Sequence, residues 1–225
     1  DNDGNTDFVL GNWGLNTKFK ASPTQPLTMH VNDFDGNGKS EFILNWYPPL
    51  DNNAYPFASK GDLTDQLPQL RKSILKYEDY ANKTYDSLFN EDIRQLSINY
   101  RVDYLEHGIL WNNGNNQFEL MALPLESQVA PVYGIAIDDL DGDGSKDIWM
   151  GGNFYALKPQ VGRCDASRGV FLKGSGDRSF VFLPPKEVGI YVTGEVRDAS
   201  VISNNGLKLL VARNNKPMLQ FERIQ

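Results

Sequence analysis

The residues best suited to chemistry lie in Asp139–Asp147, which reads DLDGDGSKD. Asp139, Asp141, Asp143 and Asp147 stand at positions 1, 3, 5 and 9 of this stretch, and Gly144 follows the third of them. Like charges packed this closely repel one another unless a cation neutralises them. Hard carboxylate oxygens at alternate positions, with a glycine at the sharp turn, match the ligand preference of Ca²⁺. The side chains at positions 1, 3, 5 and 9 are the expected ligands, and the backbone carbonyl at position 7 (Ser145) would add one more oxygen.

The spacing recurs. Asp33, Asp35, Asn37 and Glu41 occupy positions 1, 3, 5 and 9 of an earlier copy, with Gly38 after position 5 and Lys39 at position 7. The chain opens inside another: aligned on Gly4, Asp1, Asp3, Asn5 and Asp7 take positions 3, 5, 7 and 9. In chain order these are the first, second and third loops. An EF-hand needs a glutamate at position 12 and flanking helices. Position 12 is Leu44 in the second loop and Met150 in the third, both inside apolar, strand-like runs. The EF-hand is therefore excluded and a Ca²⁺ loop in a β-hairpin remains. An ion whose shell is filled by such a loop stabilises the hairpin by linkage and need not catalyse anything.

Other candidates carry less. There are two histidines. His30 sits in a strand-like run between Met29 and Val31, and His107 precedes Gly108; neither accompanies a serine or cysteine elbow. Both are expected to be packed or surface residues. Cys164, the single cysteine, excludes an internal disulfide and is expected to be partly buried. Asp165, Glu187, Glu195 and Asp198 lie outside the loops and leave a glycosidase-type carboxylate pair open. Arg163, Asp165, Arg197 and Arg213 are expected to form a buried ion-pair network instead. Trp13, Trp46, Tyr47, Trp111 and Tyr155 have faces on which sugars can stack, but they sit in or beside strands, which favours core packing.

Strands must position these loops. Phe8–Leu10 follows the first loop, Leu27–Val31 and Phe42–Tyr47 flank the second, and Val132–Ile137 and Ile148–Met150 flank the third. Two further strand–turn–strand segments, 109–121 and 170–183, each end in Leu-Pro. The repeating unit then reads strand, turn, strand, Leu-Pro, strand, acidic loop, strand. Such a four-stranded antiparallel unit, repeated radially, makes a β-propeller. The last unit is degenerate, with Val196-Arg197-Asp198 and Ser203-Asn204-Asn205-Gly206 in place of the acidic cluster and Leu207–Ala212 as its strand.

Residues 58–107 break the pattern. Ser59 with Asp62 resembles a capping box, Pro68 can open a helix over 69–75, and Asn90 can cap one over 91–96. The expected division is blades with two calcium loops over 1–57, a small helical insertion of about four short helices over 58–107, and blades with one calcium loop over 108–225. At roughly 40–50 residues per blade the remainder gives about three to four blades, so the fold class is all-β, a partial propeller with a helical insertion. The rest of that propeller, and the native N-terminus, are expected to lie upstream, since the chain begins without Met and inside a motif.

Composition agrees. Hydrophobic residues make up 40% of 225, with 20 Gly and 12 Pro, as befits strands and turns around a core. A net charge of −7 argues against a nucleic-acid partner. No run of apolar residues is long enough for a transmembrane helix.

The acidic loops followed by apolar strands and Gly-Asn resemble the FG-GAP/VCBS repeats of integrin-type β-propellers. Gly11–Asn16, the run at 33–38, Gly152–Tyr155 and Val211–Asn215 resemble the C-terminal region of large VCBS-repeat proteins of Bacteroidetes-type bacteria, often called ASPIC/UnbV-related. The resemblance spans essentially the whole chain. It implies a Ca²⁺-bound propeller in an outer-membrane, lipoprotein or secreted setting outside a Gram-negative cell, or in its periplasm. It also carries the ligand role onto the second and third loops. Glu41 stands where aspartate is usual and Asn37 is neutral, which implies weaker binding at the second loop. The family transfers no settled activity. The expected function is a calcium-stabilised module binding other envelope proteins or surface glycan, with a polysaccharide-acting enzyme, its site at the propeller mouth, as the alternative.

Overall fold

The computed structural model describes residues 1, 3–49, 51–159, 161–203 and 206–222. The chain is mostly β, in four antiparallel sheets with a few short helices. In order come β1 (Phe8–Leu10), β2 (Leu27–Asn32), β3 (Glu41–Trp46) and β4 (Tyr55–Pro56), then helices α1 (Lys60–Gln66), α2 (Tyr77–Ala81), α3 (Tyr85–Leu88) and α4 (Glu91–Leu96). Strands β5 (Ile98–Val102), β6 (Gly108–Asn112), β7 (Phe118–Ala122), β8 (Val132–Asp138), β9 (Asp147–Gly152), β10 (Val170–Gly174) and β11 (Phe180–Leu183) follow. Helix α5 (Pro185–Val188) precedes β12 (Val196–Ile202), β13 (Lys208–Arg213) and β14 (Lys216–Glu222). Among the described residues no helix is long and apolar enough to cross a membrane.

The chain forms two compact units: Asp1–Lys18 with Leu105–Gln225, and Phe19–Tyr104 between them in sequence. The first unit holds three sheets, ordered β1-β6-β7, β11-β10-β9-β8 and β12-β13-β14. Both faces of the middle sheet are covered. Along β9, Ile148 and Met150 join a cluster with Ile109 and Trp111 of β6, while Trp149 joins another with Val196, Ala199, Leu209 and Val211 of β12 and β13. The two-residue period of a strand sends alternate side chains to opposite faces, so a strand covered on both sides reads as unbroken apolar sequence. All of β9 is buried accordingly.

The phase of the repeat differs from the sequence expectation. The acidic hairpin β8–β9 pairs with the hairpin that follows it, β10–β11, and not with the one before it. The Leu-Pro pairs end a sheet: Pro124 precedes a 3₁₀ turn at Leu125–Ser127 and Pro184 precedes α5. Proline lacks the N–H that would extend a ladder and favours the start of a helical turn. The order β1-β6-β7 thus repeats β9-β10-β11, and the connection between its first two strands carries the whole second unit.

That second unit also moves the expected boundaries at 57/58 and 107/108. β5 closes on β2 from Leu27↔Val102 to Val31↔Ile98, giving a sheet ordered β4-β3-β2-β5. Ile43 of β3 and Phe34 of the second loop share a core with Leu63, Leu67, Leu70, Tyr85 and Phe89 from the helical segment. The second loop and the helices therefore belong together, and the sequence's helical insertion contains a strand. Ser59 and Asn90 cap α1 and α4 through their side chains, but Pro68 opens only a 3₁₀ turn, Pro68–Lys72. Of the degenerate last loop, Val196–Asp198 lie in β12, and Asn204 and Asn205 fall outside the described residues.

His107 ties the first unit together from the inside. It has no exposed surface, and its Nδ1 accepts the Asn12 N–H (2.9 Å) while Nε2 lies 3.0 Å from the Ala130 carbonyl. One acceptor and one donor fix a neutral Nε2–H ring. Gln128 bridges the same residue, accepting the His107 N–H at 2.8 Å and donating to its carbonyl at 2.9 Å. Burial lowers the His107 pKa, so the unfolded chain takes up a proton that the folded state resists. Stability from this group is present above its ordinary pKa of about 6.5 and is lost as pH falls through the lower folded value. His30, also lowered by burial, acts with the same sign. Urea midpoints should therefore fall between about pH 7 and about pH 5, and fall less in His107→Gln, whose amide can accept and donate in the same two directions. Identical slopes for the two proteins would contradict this account.

Candidate metal centre

The third loop joins β8 to β9 and is organised by its own carboxylates. Asp139 accepts N–H groups from Gly142 (2.6 Å) and Gly144 (3.0 Å), Asp141 from Asp143 (3.1 Å), and Asp143 from Ser145 (2.8 Å). Asp147, wholly buried at the start of β9, reaches back to the N–H groups of Leu140 (2.9 Å) and Asp141 (3.2 Å). Its other oxygen accepts the N–H of Gly174 on β10 at 3.0 Å. A Cβ on Gly174 would stand 2.1 Å from the Lys146 carbonyl, so only glycine lets the two strands meet here. Oxygens of Asp139, Asp141 and Asp147 come within 4.8 Å of one another.

The charge is only partly met from within the protein. The Lys173 ammonium pairs with Asp141 and with Asp143 (2.7 Å), which lowers the Asp143 pKa and raises that of Lys173. Among the described residues no such cation pairs with Asp147, and burial raises its pKa. An all-oxygen cluster with one buried carboxylate and no nitrogen or sulfur ligand suits a hard divalent cation and not a zinc-type site.

The second loop repeats this construction in the second unit. Asp33 accepts N–H groups from Asn37 (2.9 Å) and Gly38 (2.8 Å), the latter chiefly responsible for lowering its pKa. The buried Glu41 accepts the Phe34 N–H at 3.0 Å, as Asp147 accepts that of Leu140. Oxygens of Asp33, Asp35 and Glu41 again lie within 4.8 Å of one another. At positions 5 and 7, Lys39 donates its N–H to the Asn37 side chain (2.8 Å), the same turn as Ser145 on Asp143.

The first loop is arranged differently. Asp7 accepts the N–H of Asn112 on β6 (2.9 Å), which is the bond Asp147 makes to β10. Asp3 accepts from the Asn5 N–H (2.8 Å), which lowers its pKa. Arg178 Nε, from the β10–β11 turn, lies 2.6 Å from Asp1. The carboxylate clusters found among the described residues are those of the second and third loops, so Asp1, Asp3, Asn5 and Asp7 are placed in a matching turn without being gathered into one.

The remaining candidates are structural in their settings. Glu195 is buried and held by the Tyr155 N–H (2.9 Å), Arg197 (2.7 Å) and Asn214 (2.9 Å), with a lowered pKa led by the Asn214 bond. The expected buried network of Arg163, Asp165, Arg197 and Arg213 does not form. Arg163 and Asp165 are more than half exposed, and Arg213 donates to the carbonyls of Thr193 and Pro217. The Cys164 thiol is pushed up by burial. Trp111 is core; Trp13 tilts against Phe154, Trp46 meets Phe57 edge to face, and Tyr155 lies under the Arg163 guanidinium.

Sequence reasoning missed a polar cavity of about 460 Å³ in the second unit, lined by residues that include Thr28, His30, Asn45, Tyr47 and Arg94. The available signal was Asn45, two residues beyond the core residue Ile43 and hence on the same inward face of β3. Compared with known protein families, curated proteins and solved structures, the chain matches none.

Gly174→Ala tests the third loop without changing its charge. The added methyl would stand 2.1 Å from the Lys146 carbonyl, so β10 has to move away from the loop and its N–H from Asp147. Metal-stripped protein should lose about 1–3 kcal/mol in a urea melt. An unchanged midpoint would contradict the close approach of β10 to the loop.

Proposed function

We propose that this chain is part of a calcium-stabilised β-propeller of the FG-GAP/VCBS type, a non-catalytic module that binds envelope proteins or surface glycan outside a Gram-negative bacterial cell or in its periplasm. The observation that carries the reading is the pair of oxygen clusters, Asp33/Asp35/Glu41 and Asp139/Asp141/Asp147, built by the same turn in two units. Ca²⁺ suits them because it accepts many oxygen ligands in irregular geometry, whereas Mg²⁺ demands a tight octahedron. In each loop the side chains at positions 1, 3, 5 and 9 would hold the ion, with the carbonyls of Lys39 and Ser145 completing it. Bound there, Ca²⁺ supplies charge neutralisation and a clamp on the hairpin. The face-to-face sheets of the first unit, each ending before the next begins, support blades.

The enzyme reading has one observation in its favour. Glu187 and Glu222 line a cavity of about 440 Å³ together with Asp141. Glu222, however, pairs with Lys208 at 2.7 Å, which lowers its pKa, the opposite of what a general acid needs. Asp141 belongs to the proposed ion site. The module reading is therefore preferred.

Chelation decides the calcium part. At Ca²⁺ about 100-fold above Kd, the ion adds about 2.7 kcal/mol per site, so chelator should lower Tm by about 5–10 °C for each site emptied. Elemental analysis without Ca²⁺ together with an unchanged Tm would rule it out. Lys173→Gln should tighten Ca²⁺ binding several-fold by calorimetry, because it removes the ammonium that competes for Asp141 and Asp143. For the module itself, affinity capture with the full-length protein should recover an envelope protein or a glycan. Turnover of an oligosaccharide that stops in Glu187→Gln would establish the enzyme instead.

A further inference from the structure

Strand β5 is left open by the rest of the second unit. It ends the sheet β4-β3-β2-β5, and its outer edge has no partner among the described residues. All five of its residues, Ile98–Val102, are exposed. An unpaired edge presents a row of backbone N–H and C=O groups to any other strand, and proteins guard such edges by shortening, proline or bulges. The opposite edge of the same sheet is guarded, since β4 is two residues long and contains Pro56. β5 has none of these devices. It contains no proline, and its register with β2 runs unbroken from Leu27↔Val102 to Val31↔Ile98, without a bulge to turn it away. Its one charge, Arg101, is drawn to the Pro23 carbonyl (2.5 Å) and to Asp103 (3.5 Å).

The side chains of β5 divide by character. Ile98, Tyr100 and Val102 alternate with Asn99 and Arg101, so the two kinds face opposite sides of the sheet. Cross-strand partners share a face, and the registers carry the apolar side inward: Ile98 stands beside Val31 and then Phe42, and Tyr100 beside Met29 and then Leu44. Ile98, Tyr100 and Phe42 are each more than half exposed. None of these residues is charged, and β5 carries no acidic residue in a chain of net charge −7. Two copies of an acidic protein repel least where neither brings a carboxylate.

The order of residues in β5 suits a second copy of the same strand. An antiparallel pair centred on Tyr100 sets Ile98 of each copy opposite Val102 of the other, Asn99 opposite Arg101, and the two Tyr100 side chains together. Apolar meets apolar and no like charges are opposed. The neighbouring registers are worse. A two-residue shift one way opposes the two Arg101 side chains. The same shift the other way sets Val102 against Leu96, which ends helix α4 and is not in a strand. A one-residue shift sets Arg101 against Ile98 or Tyr100 and turns the apolar face over. We infer that β5 pairs with β5 of a second copy about a two-fold axis at Tyr100, joining two four-stranded sheets into one with its apolar face unbroken across the junction. The inference is independent of the ion sites and of the propeller reading.

The test is sedimentation equilibrium of the intact protein from micromolar to millimolar concentration, where a reversible monomer–dimer equilibrium should appear. Tyr100→Lys opposes two ammonium groups at the axis and should weaken the dimer about tenfold or more. Tm extrapolated to low concentration should stay level, because the side chain it replaces is mostly exposed. Tyr100→Phe should retain the dimer. Tyr100→Cys should give an interchain disulfide on mild oxidation, since directly opposed residues have Cβ atoms about 4.5–5.5 Å apart, and it decides the matter if Tyr100→Lys does not fold. The wild-type protein, whose one thiol is Cys164, supplies the control for that cross-link. A monomer at every concentration overturns the inference, and so does a dimer that Tyr100→Lys leaves intact. A monomer that captures an envelope protein through β5, with capture lost in Tyr100→Lys, overturns the second copy as occupant and leaves the module reading standing.

Discussion

A carboxylate at position 9 of an acidic loop has to be buried for the hairpin to join its sheet, and the structure is organised around meeting that cost. Asp147 is removed from water at the first residue of β9 and accepts N–H groups from its own loop and from β10. Those bonds link hairpin to sheet, so the charge that would oppose folding specifies strand order. Glu41 repeats the loop half of this arrangement and Asp7 the sheet half. Hydrogen bonds to a carboxylate are among the stronger ones, yet they leave the like-charge repulsion between Asp139, Asp141 and Asp147 in place. A divalent cation would remove it, whereas Lys173 relieves only the outer part, at Asp141 and Asp143.

The remaining architecture follows from where those hairpins sit. β9 is covered on both faces, with Trp149 on one side and Ile148 and Met150 on the other. Close approach around it depends on small residues. A Cβ on Gly134 would meet the Asp198 and Ala199 backbone within 3 Å, and one on Gly152 would meet the Pro131 carbonyl. Strand exits are held by buried polar groups. Asn153 bonds Ser167 and Gly194, while His107 and Gln128 do the corresponding work beside Asn12. Because these exits are anchored independently, the connections that follow β1, β9 and β13 can vary widely. They are the two residues Asn214 and Asn215 after β13, a longer crossover after β9, and an entire folded unit after β1.

The second unit places an acidic loop and a polar cavity at opposite ends of one strand. The face of β3 passes from Glu41 at the acidic loop, through Ile43 in the apolar core, to Asn45 in the polar cavity. The apolar middle separates the two.

Much of this was legible in the residues. The loops announce themselves because ligand spacing is local: positions 1 to 9 belong to one turn, and the backbone N–H groups that orient the carboxylates come from the same few residues. Strand positions were legible for the same reason, through apolar runs and glycine turns. The caps at Ser59 and Asn90 were too. What the sequence could not decide is which hairpin pairs with which. A strand's periodicity states that a face is buried without naming its neighbour, so the pairing of β9 with β10, and of β2 with the unforeseen β5, emerged only in three dimensions. The same limit hid the cavity. Asn45 and Arg94 are far apart in sequence, each unremarkable alone, and only tertiary packing brings them to the lining of one cavity.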